Sequence, residues 1–181
     1  HIATHEGLKA VQMFEAIARG EIKALWVIGT NPAVSLPNAD AAREALKKLE
    51  LFVVSENVTS NDTVNAGAHV LFPAQAWGEK SGTVTNSERR ISRQRAFLSS
   101  PGETRPDWWI IGEVAKRLGF GAAFDFSSAA DIFREHAALS AFENDGSRDF
   151  DIGGVGGRVG GAFSRSGRRA CARRARVRAP G

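Results

Sequence analysis

The chain holds a single cysteine, Cys171, among its 181 residues. One thiol excludes an internal disulfide framework, a cysteine-rich zinc site and a self-contained iron–sulfur cluster, and it is compatible with a reducing compartment. The four histidines, His1, His5, His69 and His136, show no ligand spacing with acids or with Cys171, so no protein-only metal site is expected. Long apolar runs are missing as well. None approaches the ~20 residues that span a bilayer, and no charged-then-apolar leader precedes the first helical pattern. The chain opens at His1 and carries its only methionine at Met13, which reads as an excerpt of a longer protein. Neither G-x-G-x-x-G nor a P-loop follows any apolar run, which argues against a standard dinucleotide or ATP fold.

Charge is unevenly spread. Eight of the 24 Lys and Arg residues, but only one of the 20 acids, lie in residues 151–181; that segment carries +7 and residues 1–150 carry −3. From residue 155 onward there are eight Arg, six Gly, no Lys and no acid, with no helical or strand period. The sequence therefore divides into an α/β domain over 1–154 and an Arg/Gly-rich tail over 155–181 that predicts no fold of its own.

What is present in the first part is an alternation of buried strands and helices. Leu8, Val11, Phe14, Ile17 and Ala18 recur at helical spacing, with Gly20 where a left-handed cap belongs. Ala24-Leu25-Trp26-Val27-Ile28 is apolar without a polar face, the pattern of a strand buried on both sides of a parallel sheet. A second helix follows Asn38, a good N-cap, with Ala42, Ala45, Leu46 and Leu49 on its apolar face. Leu51-Phe52-Val53-Val54 is the next strand, residues 62–67 a weak helical turn, and His69-Val70-Leu71-Phe72 a third strand closed by Pro73. This order predicts a Rossmann-like, doubly wound, mostly parallel sheet with flanking helices. Two further helices are expected. One begins at Pro106-Asp107 with Trp108, Ile111, Ala115 and Leu118 on one face and Gly119 just past its end; the other opens with a capping box at Ser128-Ala129-Ala130-Asp131 and carries Ile132, Phe133, His136 and Leu139.

Ligands of such sheets bind beyond the carboxyl ends of the strands, and here those ends are polar. Asn31 follows the first strand, where its amide can donate and accept toward a ribose, phosphate or base edge; equally, it is a turn-forming residue before Pro32. Ser55 and Glu56 end the second strand, and an acid at that point can accept from ribose hydroxyls or simply face solvent. The segment Trp77-Gly78-Glu79-Lys80-Ser81-Gly82-Thr83, continuing to Arg90, is dense in donors, acceptors and glycines and reads as a ligand-facing loop. In it Lys80 offers a cation to phosphates, or a solvated charge. Asp107 can accept from the N1–H and exocyclic amine of guanine, or stabilise a helix N-terminus. Glu88, Arg89, Arg90, Arg93 and Arg95 either steer an anion or form a solvated face of weak ion pairs. No nucleophile, base and orienting acid can be assembled, and no metal ligands are assigned. The residues alone indicate a nucleotide-like ligand.

The order and spacing of the first strand with Gly29-Thr30-Asn31-Pro32, of His69-Val70-Leu71-Phe72-Pro73, of the Trp77 segment and of Asn86-Ser87-Glu88-Arg89-Arg90 resemble the molybdopterin oxidoreductases that carry bis-molybdopterin guanine dinucleotide. Arg105-Pro106-Asp107-Trp108-Trp109, with Phe133-Arg134-Glu135-His136 and the stretch from Phe150 to Gly154, is most similar to the large subunit of bacterial assimilatory nitrate reductase. The resemblance runs from about residue 7 to 154 and matches only a middle section of such an enzyme. It implies that Asn31, Ser55, Glu56, Lys80 and Asp107 contact the guanine-dinucleotide cofactor. It implies a cytoplasmic parent enzyme that reduces nitrate to nitrite at molybdenum, partnered by its own remaining domains and by an electron-donor protein or subunit. The family's cysteine motif for a [4Fe–4S] cluster and its molybdenum-ligand segment have no counterpart here, so the cluster belongs to the parent and this chain alone is expected to be inactive.

The tail departs from the family, and its composition suggests translation in a shifted frame. Three readings compete with the first. Another molybdopterin oxidoreductase such as a formate dehydrogenase would share the same cofactor motifs. A nucleic-acid-binding protein would act through the basic tail, although the folded part is acidic and the tail holds no aromatic but Phe163. A non-catalytic α/β interaction domain would have kept the fold and lost the ligand.

Overall fold

The computed structural model describes residues 4–156. Cys171 and the basic tail from residue 157 lie outside the described residues. The described residues form two compact units, one comprising residues 4–76 with Ser100–Ile110, the other Trp77–Ser99 with residues 111–156.

The first unit is built on three parallel strands in the order β1 (Ala24–Ile28), β2 (Leu51–Glu56) and β3 (Val70–Pro73). The register pairs Val27 with Val54 and Ile28 with Ser55, then Val54 with Leu71 and Glu56 with Pro73. Parallel strands need crossovers. They are supplied by α2 (Pro32–Ser35) and α3 (Ala39–Leu46) between the first two strands, and by the single turn α4 (Asp62–Asn65) between the second and third. The α/β class read from the sequence is the class observed.

Local signals account for these boundaries. Before β1, α1 (Ala10–Ala18) ends at Gly20, whose φ of 80° only glycine adopts without strain. Its N–H donates to Ile17 O, and Glu21 N–H to Ala16 O, which together form a Schellman cap. Asn38 caps α3 as expected, its side chain accepting from Ala41 N–H at 3.2 Å. The core gathers Phe14 and Ile17 of α1, Leu46 of α3, and Val27, Phe52 and Val54 of the sheet. Those strand residues share one parity, so they lie on one face of the sheet.

The expectation that β1 is buried on both sides is not met. Its opposite parity belongs to the second face, where Ile28, Leu51 and Val70 are 37%, 46% and 38% exposed. On that face Trp26 leans on Phe72 with ring centroids 5.8 Å apart. A continuous apolar run cannot report which of its two faces is covered, because both faces read alike. His69 has a structural role: its Nδ1 accepts from Phe52 N–H at 2.9 Å while its own N–H donates to Phe52 O.

In the second unit, the stretch read as one loop contains a short 3-10 turn, Trp77–Glu79, and an antiparallel hairpin of β4 (Gly82–Thr85) and β5 (Ile91–Gln94). Its turn is closed by Asn86, whose N–H donates to Arg90 O and whose side chain accepts from Arg90 N–H. The β-branched run Thr83-Val84-Thr85 is the strand signal that the surrounding polar residues masked. Helix α5 (Asp107–Ala115) starts where expected but passes into a wide turn over residues 116–120, in which Gly119 takes φ 92°. Leu118 is therefore 69% exposed and leaves the apolar face assigned to it.

Helix α6 (Ala129–Ala141) buries Ala130, Ala137 and Ser140, and Leu139 is exposed. Its capping box is also altered. Asp131 accepts from the Ser128 hydroxyl at 2.9 Å and from Ser127 N–H at 3.1 Å, while the Ser128 side chain makes no cap bond to the first turn. The Ser128 bond is the main reason the Asp131 carboxyl sits below its ordinary pKa. A last short helix, α7 (Gly153–Gly156), packs on α6.

Candidate functional site

The carboxyl edge of the parallel sheet collects three of the sequence-derived candidates directly. β1 is followed by Gly29, which has φ 60° and donates its N–H to Ser55 O at 3.1 Å, so the chain turns into Asn31 beside the end of β2. Asn31 is half-buried, and its Oδ1 accepts from the Thr63 hydroxyl at 2.6 Å and from Thr63 N–H at 3.2 Å. Thr63 is fully buried, and its hydroxyl oxygen also accepts from Ala33 N–H at 3.2 Å.

Glu56 is the last residue of β2, and both its carboxylate oxygens are engaged. Oε1 accepts from Asn57 N–H at 2.8 Å and Oε2 from Asn61 Nδ2 at 3.2 Å. Each carboxylate oxygen retains a further lone pair, so these bonds orient the group without exhausting it. Asn61 is itself fixed, because its Oδ1 accepts from Val64 N–H at 2.9 Å as the N-cap of α4. The one-turn helix α4 thus holds Asn31 through Thr63 and Glu56 through Asn61.

Ser55 is only 1% exposed, and its hydroxyl accepts from Trp26 Nε1 at 2.9 Å. Its side chain therefore works inside the sheet face, steadying Trp26 next to Phe72. Asp107 reaches the same edge by a different route. Residues 100–106 return along the end of β3: Arg105 N–H donates to Pro73 O at 3.1 Å, Gln75 N–H donates to Arg105 O at 3.0 Å, and Ala74 and Arg105 form a parallel bridge. Asp107 follows at once, half-buried, as the first residue of α5. The Arg105 guanidinium lies over the Trp109 ring, 5.7 Å from its centroid.

Lys80 belongs to the second unit, half-buried between the 3-10 turn and β4. Gly78 sets the base of that turn, its carbonyl accepting from both Phe97 and Leu98 N–H at 2.9 and 3.0 Å. A Cβ at position 78 would come within 2.9 Å of the ends of both those side chains, so a larger residue there would displace them. Ser81 accepts from Ala96 N–H at 3.0 Å. Of the mixed-charge cluster, Glu88 and Arg90 form an exposed pair at 3.6 Å. Arg93 stands opposite Thr83 in the hairpin, its pKa lowered by burial first and then by Arg95.

The structure thus brings Asn31, Ser55, Glu56 and Asp107 to one edge of the first unit. Sequence reasoning missed Thr63, Asn61 and Trp26, which hold the candidates in place. Thr63 and Trp26 act across 32 and 29 residues of chain, and no local pattern reports such pairings. Asn61 was the accessible one, since an Asn before Asp62 is an N-cap signal.

The family model for molybdopterin oxidoreductases matches residues 1–117. A nitrate reductase of Klebsiella oxytoca is 58% identical over 154 residues, covering 85% of this chain and 18% of the relative. The alpha subunit of a formate dehydrogenase from Methanocaldococcus jannaschii is 38% identical over 131 residues, covering 72% of this chain and 19% of the relative. Among solved structures, acetylene hydratase from Pelobacter acetylenicus superposes with a TM-score of 0.59 at 20% identity, covering 67% of this chain and 17% of that one; this likeness concerns the fold. The chain spans less than a fifth of the length of each of these three proteins.

Proposed function

The chain belongs to the molybdopterin oxidoreductase family, and from that premise we propose that it forms one lobe of the cofactor cradle of a molybdenum-dependent nitrate reductase. Asn31, Glu56, Lys80 and Asp107 bind the guanine-dinucleotide half of the cofactor, and Ser55 serves them by fixing the strand end. The observation that carries this reading is the chemistry of the carboxyl edge. Asn31 keeps an amide donor for a phosphate or ribose oxygen, Glu56 keeps lone pairs for ribose hydroxyls, and Asp107 offers a carboxylate to the donor edge of guanine. Lys80 adds a compact cation suited to a diphosphate. This donor and acceptor set fits a guanine nucleotide.

When bound, the molybdenum centre of such a cofactor supplies oxygen-atom transfer, the chemistry that takes nitrate to nitrite. The residues of this chain bind and orient the nucleotide end; they carry out no bond-making step. The [4Fe–4S] cluster that relays electrons, the electron donor and a cytoplasmic setting belong to the proposed parent. Nitrate is the substrate of choice because the Klebsiella oxytoca relative, at 58% identity, is a nitrate reductase, while the formate dehydrogenase relative stands at 38%.

A segment exchange tests the proposal. Residues 1–154 should replace the matching segment of the Klebsiella oxytoca nitrate reductase with retention of bound molybdenum and of nitrate reduction. A soluble, folded chimera that binds no molybdenum would contradict the cradle role. One that binds molybdenum yet cannot reduce nitrate would contradict the substrate assignment.

A further inference from the structure

We infer that Thr63 is a positioning residue that makes Asn31 an obligate hydrogen-bond donor, so that the ligand atom facing Asn31 is an acceptor oxygen. The inference rests on the cradle reading and goes beyond it in assigning both the polarity of the Asn31 contact and the residue that sets it.

The two orientations of an asparagine amide are told apart only by their partners, and here the partner is unambiguous. Thr63 N–H can only donate, so the Asn31 atom 3.2 Å from it is the oxygen. The Thr63 hydroxyl, 2.6 Å from the same oxygen, takes the second lone pair. Since an amide oxygen can only accept, that hydroxyl gives its one proton to Asn31, while its own oxygen accepts from Ala33 N–H. Asn31 Oδ1 is thereby saturated. Its Nδ2 has no hydrogen-bond partner among the described residues, so donation is the only polar contact Asn31 has left to offer. Thr63 is fully buried and cannot exchange these bonds for water. The donor edge of guanine is therefore excluded as the Asn31 partner, whereas a phosphate or ribose oxygen satisfies it.

The test uses the full chain with guanosine diphosphate and guanosine as probes, and the Thr63→Val, Thr63→Ser and Asn31→Asp variants. Valine keeps the shape and the backbone N–H but removes the hydroxyl. The Asn31 side-chain amide should be as ordered as a rigid backbone amide, with a 15N order parameter of about 0.85, in the parent and in Thr63→Ser, and fall below about 0.6 in Thr63→Val. Affinity for guanosine diphosphate should fall about tenfold in Thr63→Val and recover in Thr63→Ser. Asn31→Asp keeps an acceptor for Thr63 but presents oxygen to oxygen; it should lose at least as much affinity with thermal stability unchanged. A loss confined to guanosine diphosphate identifies a phosphate oxygen, and a loss shared by guanosine identifies a ribose oxygen.

An Asn31 amide equally ordered in Thr63→Val overturns the inference. So does an Asn31→Asp variant that binds as well as the parent. If the parent binds neither probe while Thr63→Val still loosens the Asn31 amide, the cradle reading fails and the positioning of Asn31 by Thr63 stands.

Discussion

Replacing Phe52 with alanine is expected to destabilise the first unit by about 3–5 kcal/mol, the range for truncating a fully buried aromatic. Phe52 is fully buried at the centre of the sheet and packs in one cluster with Phe14, Ile17 and Leu46. Helices on that face leave little room for collapse around the cavity, so the cost should lie in the upper half of the range. Against a domain stability of about 5–15 kcal/mol, this is a large share. In urea, with m of roughly 1–3 kcal/mol/M, the midpoint should fall by about 2 M while the slope is kept. A shift below about 0.5 M would mean that the sheet face is not the core of the unit.

The second large effect concerns recognition. Asp107→Asn should weaken binding of guanosine diphosphate by about 100-fold and leave adenosine diphosphate unchanged. The proposed carboxylate accepts two hydrogen bonds from guanine, each charge-assisted bond contributing about 1.5–3 kcal/mol. An asparagine turns one of the two accepting positions into a donor that faces a donor. The competing role of Asp107 is to stabilise the first turn of α5, where an acid contributes about 0.3–1 kcal/mol. The two roles separate cleanly: the helix role lowers thermal stability and treats both nucleotides alike, whereas the recognition role changes their ratio. Equal weakening of both nucleotides would assign Asp107 to the helix.

The regular elements were legible where one short-range rule decided the outcome. Gly20 and Asn38 terminate and start helices through bonds within a few residues, and both behave as their types predict. Apolar runs located all three parallel strands, but they could not report which face is covered, and β1 and β2 leave Ile28 and Leu51 partly exposed. The β4–β5 hairpin was hidden by its composition: Lys80, Gly82 and Asn86 read as loop, while only Thr83, Val84, Thr85 and Ile91 carry strand character. On α6 the large residues Ile132, Phe133 and Leu139 are the visible signal, yet small ones, Ala130, Ala137 and Ser140, are buried while Leu139 faces solvent.

The candidate site was legible in its donors and acceptors more than in its supports. Strand ends announce Asn31 and Glu56 because polar residues there interrupt apolar runs. Ser55 looked like a third member of that edge, and its burial under Trp26 could be seen only from the pairing of β1 with β2. Thr63 sits in a weak polar turn that carries no sequence signal of its own, and its importance comes from a partner 32 residues away.

The central claim, that the carboxyl edge of the sheet binds a guanine nucleotide, is tested most directly by calorimetric titration of guanosine diphosphate into the full chain, with adenosine diphosphate as the control. The account predicts saturable binding of guanosine diphosphate with at least about a tenfold preference over the adenine nucleotide, a difference of about 1.4 kcal/mol. Equal affinity for the two, or no binding by a chain whose cooperative unfolding shows it to be folded, would contradict it.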